Sequence, residues 1–405
     1  MRLRNKILFF IGGVSLAMAY PVIVAPKIEA HEEAIRYYES IILHEQTYLV
    51  THQLEDGAIA MRPRVDGEAY VNPYFANFSA LALMIGAQAQ SDVVRDYIDW
   101  FFVNVNQDDS NHQAGSISDY VYTLDNTRIM SKTKQDYDSV DAYLAGFIMV
   151  LENYVHKSQD ETLLIQYEDE WIKILEAFLA TRNATSGLSM VSLSNQTQYL
   201  MDNSEVYGAL NVVQNLFDFY WKLDARNLNL EERLIKIEAE LKQWAEELDE
   251  IIEGLLFDEA QMLYAYGMDG EGKLLDSKLG KRFYPDGIGQ LYPIMFGLDD
   301  PRSEQAKQLY ALFNQHYAWV DFELFDQGET DFYWFVIAYG AAVMKDEDRL
   351  LSYLANYEKR IMPDHPYPIY NAEVAWVIMA CDVMIKHHNQ AIERLDPFKI
   401  LQSKS

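Results

Sequence analysis

Two short stretches carry paired acids at the same spacing: Asp138-Ser-Val-Asp141-Ala-Tyr143 and Asp202-Asn-Ser-Glu205-Val-Tyr207. On a helix, side chains three apart share a face, with Cβ atoms about 5–6 Å apart. Two acids that close in a partly dry mouth push one pKa upward, so that one carboxyl can donate a proton while the other stays ionised. Such a pair can protonate a leaving oxygen and activate water. Glu55-Asp56-Gly57, in a loop after the first expected helix, adds a further acid.

The same grammar recurs. Asn72-Pro-Tyr74-Phe-Ala-Asn77, Asp286-Gly-Ile-Gly-Gln290-Leu-Tyr292, Asp331-Phe-Tyr-Trp334 and Asn371-Ala-Glu373-Val-Ala-Trp376 each set a carboxylate or amide before an aromatic one turn on. Asp and Asn are preferred N-caps, an acid in the first turn complements the helix dipole, and Asp202-x-x-Glu205 imitates a capping box, so each acid alone reads as a cap. Caps do not require the repeated aromatic or the long loop before it. Polar groups converging in an aromatic-lined hollow bind ligands, and rings with carboxylates and amides suit sugars. Tyr74, Asn77, Tyr137, Tyr143, Tyr207, Asp286, Tyr292, Asp331, Trp334, Glu373 and Trp376 are the substrate-binding candidates. Asp138 is read as capping its helix, which leaves Asp141 to meet a substrate. Arg62, Arg64, Lys281 and Arg282 lie in loops and read as ordinary surface.

What must position these residues is helical. Period-3.6 apolar patterns predict helices near 31–52, 73–89, 91–106, 138–156, 160–181, 203–222, 228–254, 286–297, 301–318, 330–345, 347–359 and 371–389. They alternate in kind: charged and amphipathic, as in Leu230 to Leu255, then apolar nearly all round, as in Val140 to Leu151. A layer of buried helices inside amphipathic ones is how helical hairpins close into an all-α toroid. Links into the apolar helices are long and rich in Gly, Asn, Ser and Tyr, with strand signals at 56–61, 115–123, 187–193 and 262–277 that predict short β-hairpins on one face.

The chain has 62 Asp and Glu against 33 Lys and Arg among 405 residues, a net charge of −29 that disfavours nucleic acid and anionic lipid as partners. Residues 1–25 combine a basic start, an apolar run and Ala17-Met18-Ala19, the grammar of a secretory signal peptide or an uncleaved N-terminal membrane anchor. Residues 26–405 then form one domain outside the cytoplasm, secreted or anchored to the outer face of the membrane through that segment only, and are expected as a monomer. The lone Cys381 reads as a buried small residue.

The alternation and the acidic helix starts resemble the six-hairpin, or (α/α)6-toroid, glycosidase superfamily over about residues 31–395. The resemblance implies a glycoside hydrolase acting on a poly- or oligosaccharide, with catalytic carboxylates drawn from Asp138, Asp141, Asp202, Glu205 and Asp56. Glycoside cleavage needs carboxyls about 5–5.5 Å apart for retention or about 6.5–9.5 Å apart for inversion. A cross-ring pair, one acid from Asp138/Asp141 and one from Asp202/Glu205, is favoured because two acids on one turn do not easily flank a bond from opposite sides, and its gap admits water, from which inversion follows. The alternative is a non-catalytic toroid that binds carbohydrate or protein in an exopolysaccharide system. No cofactor or metal is expected: the His residues are scattered, and neither a phosphate loop nor a Ser elbow occurs.

Overall fold

The computed structural model describes residues 24–107, 113–160, 162–326, 333–366 and 369–395. The leader or anchor expected at 1–25 lies almost wholly outside them, as does Asp331. No helix of the described residues is long and apolar enough to cross a membrane.

Among the described residues, six outer and six inner elements alternate along the chain. The outer helices are α1 (Ala25–Val50), α3 (Ser91–Val103), α6 (Glu168–Ala180, after the short α5, Thr162–Gln166), α8 (Glu231–Leu256), α10 (Glu304–His316) and α13 (Glu347–Arg360). The inner ones are α2 (Pro73–Leu83), α4 (Val140–Ser158), α7 (Leu200–Tyr220), a segment ending in α9 (Tyr292–Met295), α12 (Val336–Val343, after the short α11, Glu323–Asp326) and α14 (Asn371–Leu395). The inner elements pack in chain order, α2 on α4, α4 on α7, α7 on α9, α9 on α12 and α12 on α14; then α14 packs back on α2 and on α1. That closes an (α/α)6 toroid.

Patterning explains the two layers. On α8, Leu234, Ile237, Leu241, Trp244, Leu248 and Ile252 are buried at spacings of three and four, while the residues between are mostly wet. On α4, Val140 to Ile148 are all buried, as a helix covered on most sides must be. The fourth inner element is irregular: a wide turn at Phe283–Gly287 and a tight one at Ile288–Leu291 precede α9. A Cβ on Gly287 would lie 2.4 Å from the Tyr317 ring, so only Gly lets the backbone pass there.

The long links carry the small strands. β1 (Glu68–Val71) pairs antiparallel with β2 (Tyr120–Asp125), Glu68 opposite Thr123, and β2 pairs with β3 (Arg128–Lys134). β4 (Gln198–Tyr199), which leads into α7, pairs with β7 (Gly267–Met268), and β7 with β8 (Leu274–Leu275); β5 (Phe257–Asp258) pairs with β6 (Leu263–Tyr264). Links one and two share a sheet, as do links three and four, so neighbouring links brace one another around the face where inner helices begin.

Candidate active site

Each inner element begins at this face, and their first turns surround a cavity of about 810 Å³ to which all six contribute. Its acids are Asp138, Asp202 and Glu373; its rings include Tyr74, Tyr143, Tyr284, Tyr292, Trp334 and Trp376.

The cap assignment at α4 is reversed. Ser139, not Asp138, is the N-cap residue, and no side chain caps the helix, so Asp138 is exposed on the cavity wall. Asp141 is fully buried and does not line the cavity. Its Oδ1 accepts from Ser139 Oγ at 2.6 Å and from the Ala142 N–H at 2.9 Å, and its Oδ2 accepts from Ser189 Oγ at 2.7 Å. Burial pushes its pKa up to about 6 against the pull of those hydrogen bonds.

Helix α7 starts two residues before Asp202, so that acid sits inside the first turn instead of capping it, with an edge on the cavity. Burial first, and then the neighbouring carboxyls of Asp141, Glu205 and Asp138, hold Asp202 well above the usual carboxylate range. Ser139 Oγ lies 3.5 Å from Asp202 Oδ2 while donating to Asp141. Glu205 lies one turn deeper, 1% exposed, behind the cavity floor. The Tyr74 hydroxyl donates to its Oε1 at 2.6 Å, and burial raises its pKa strongly.

Glu373 enters from the opposite side of the ring, three inner elements from Asp202. It is 3% exposed, lines the cavity, and accepts the Phe335 N–H at 2.8 Å. Burial raises its pKa to about 8, so its carboxyl is protonated at neutral pH.

Other candidates fall elsewhere. Asp56 accepts from the Tyr122 hydroxyl at 2.8 Å and lies 3.6 Å from Lys132 Nζ, outside the cavity wall. Asn77 is fully buried, donating to the Tyr143 carbonyl and accepting from Tyr97. Asp286, also fully buried, accepts a two-point bond from Arg282 at 2.7 and 3.0 Å. Tyr137 and Tyr207 pack against the core instead of lining the cavity. None of these five lines the cavity; at the helix starts the reason is that a first turn has several faces and only one points into the ring.

Several lining residues were not singled out as candidates. Tyr284 is 54% exposed and stacks on Trp334 at 4.8 Å; its place just ahead of the Asp286 start was the available signal. Asn72 caps α2 through the Phe75 N–H and also donates to the Tyr143 hydroxyl at 2.6 Å. That hydroxyl donates to Asp119 at 3.0 Å, a carboxyl that burial raises to about 6. Lys281 and Arg282, read as surface, line the cavity, so its wall is not purely acidic.

No protein-family profile matches the sequence, and no curated protein does either. Solved structures match the fold. A glycosidase variant aligns at a TM-score of 0.55 and 13% identity over 88% of this chain and 98% of its own. A glycosidase variant in complex with glucose aligns at a TM-score of 0.53 and 12% identity over 87% and 98%. A novel alpha-amylase from Clostridium perfringens aligns at 0.52 and 12% over 84% and 97%. The chain thus has the toroid fold of these glycosidases, over nearly their whole length.

Proposed function

We propose that the protein is a glycoside hydrolase whose cavity takes a poly- or oligosaccharide, with Glu373 as general acid. The supporting observation is the Glu373 carboxyl: buried in the cavity wall, oriented by a backbone N–H, and raised to about 8. A proton donor to a glycosidic oxygen needs that state near neutral pH. Asp138, exposed on the cavity wall two inner elements from Glu373, is the proposed base that activates water. Asp202 beside it, its pKa raised by burial and by the neighbouring carboxyls, is placed to hydrogen-bond that water or a sugar hydroxyl.

Acid and base on separate inner elements fit a base that works through a water on the far side of the sugar, which implies inversion. Tyr284, Trp334 and Trp376 offer rings on which sugar C–H groups stack. With residues 1–25 as leader or anchor, the substrate is met outside the cytoplasm.

The test is hydrolysis of a panel of α- and β-linked glycans by wild type, Glu373→Gln and Asp138→Asn. Wild-type cleavage that falls by about 100-fold or more in each variant supports the assignment. Full activity in Glu373→Gln overturns it. Tight glycan binding with no cleavage by wild type would favour the non-catalytic reading.

A further inference from the structure

His44 and Glu45, from the last turns of α1, meet His365, from the link after α13; one ligand atom of each lies within 4.8 Å of the others. None of the three lines the cavity. Glu45 is 0% exposed, a costly place for a carboxylate without compensation. Among the described residues its ion-pair partner is His365, whose Nε2 lies 2.7 Å from Oε2. The other oxygen, Oε1, is buried with no well-formed hydrogen bond, its polar neighbour being the buried Tyr357 hydroxyl.

The two imidazoles are held for ligation. The Tyr48 ring stacks on His365 at 3.6 Å and 7°, fixing its plane. His44 Nε2 lies 3.3 Å from the Met362 carbonyl, so its hydrogen points there and the lone pair is on Nδ1. His44 is exposed, which leaves a side open to water.

We propose that His44, Glu45 and His365 form a site for a zinc-class divalent cation. Two nitrogen donors and one carboxylate oxygen suit zinc and its transition-metal neighbours, whereas calcium and magnesium take oxygen ligands. Tetrahedral bonds of about 2.0–2.2 Å put donors roughly 3.3–3.5 Å apart, so on binding the His365–Glu45 pair opens from 2.7 Å while wider separations within the 4.8 Å group close. The cation takes the place of the hydrogen between His365 Nε2 and Glu45, and water completes the shell from the His44 side. Its effect is to pin the segment around His365 to the first helix.

The test strips the full chain with chelator and titrates Zn²⁺ by calorimetry and thermal unfolding. Wild type is expected to bind a single equivalent and unfold at higher temperature with Zn²⁺. His365→Ala removes binding, and His44→Ala, an exposed site that leaves folding intact, weakens it by about tenfold or more. His387→Ala, on another face, leaves it unchanged. No binding by wild type, equal binding by His44→Ala, or loss in His387→Ala overturns the site.

Discussion

The Tyr74 hydroxyl donates a 2.6 Å hydrogen bond to Oε1 of Glu205, joining the first inner helix to the third beneath the cavity floor. Glu205 Oε2 is buried with no partner, so this one bond carries the satisfaction of the carboxyl. Tyr74→Phe is therefore expected to destabilise the fold by about 1–3 kcal/mol, the penalty for stranding a buried acceptor. Denaturant unfolding that leaves the midpoint unchanged would show that Glu205 finds another donor.

The raised pKa of Glu373 makes stability pH-dependent in a definite direction. The folded state keeps the proton up to about 8, while the unfolded chain releases it near 4.5. Between those values the unfolded state binds fewer protons, so this contribution is complete below about 4.5 and declines until pH passes 8. Glu373→Gln cannot titrate. Its stability relative to wild type should improve from pH 5 to pH 8, read by thermal unfolding across that window. Wild-type activity should fall on an alkaline limb near 8. A flat profile would remove Glu373 from the acid role.

Asp138 and Asp141 should separate cleanly. Asp141 accepts from Ser139, Ser189 and Ala142 with no face on the cavity, so Asp141→Ala should cost about 2–4 kcal/mol through stranded donors. Asp138→Asn, on an exposed side chain, should leave stability within about 0.5 kcal/mol while lowering kcat. The reverse pattern would restore Asp141 as the reacting acid.

Tyr284 offers an exposed ring stacked on Trp334. Tyr284→Ala should raise KM by roughly three- to tenfold with kcat nearly unchanged, as loss of about 0.5–1.5 kcal/mol of ring stacking implies. An unaltered KM would put the bound glycan elsewhere in the cavity.

The ring order was legible because burial writes itself into periodicity: α4 is apolar all round and α8 on one stripe, and the alternation reveals two layers. Helix starts were legible to within a few residues, but a few residues decide chemistry. Asp138 and Asp141 are three apart, and which one faces the ring depends on Ser139 standing at the cap, a matter of backbone angle that composition does not carry. Glu373 was visible as a lining candidate; its protonation was not, because that depends on how deeply its neighbours bury it. The fourth inner element, with Pro285, Gly287, Gly289 and Pro293, departs from helical geometry where a continuous helix was expected, and Tyr284 projects from that departure. His365 is 320 residues from Glu45 in sequence, a distance that no spacing rule spans.

The ring seam joins the two ends of the domain. His31 and His388, 357 residues apart, meet at 2.8 Å, and His388 reaches Glu347 on α13. A nascent chain therefore has no closed cavity, whatever number of hairpins it has formed, until α14 emerges and docks between α12 and α2 against α1. The carboxylates from opposite sides of the ring face one another only after that last event, so assembly of the site is a late, all-or-none step set by topology.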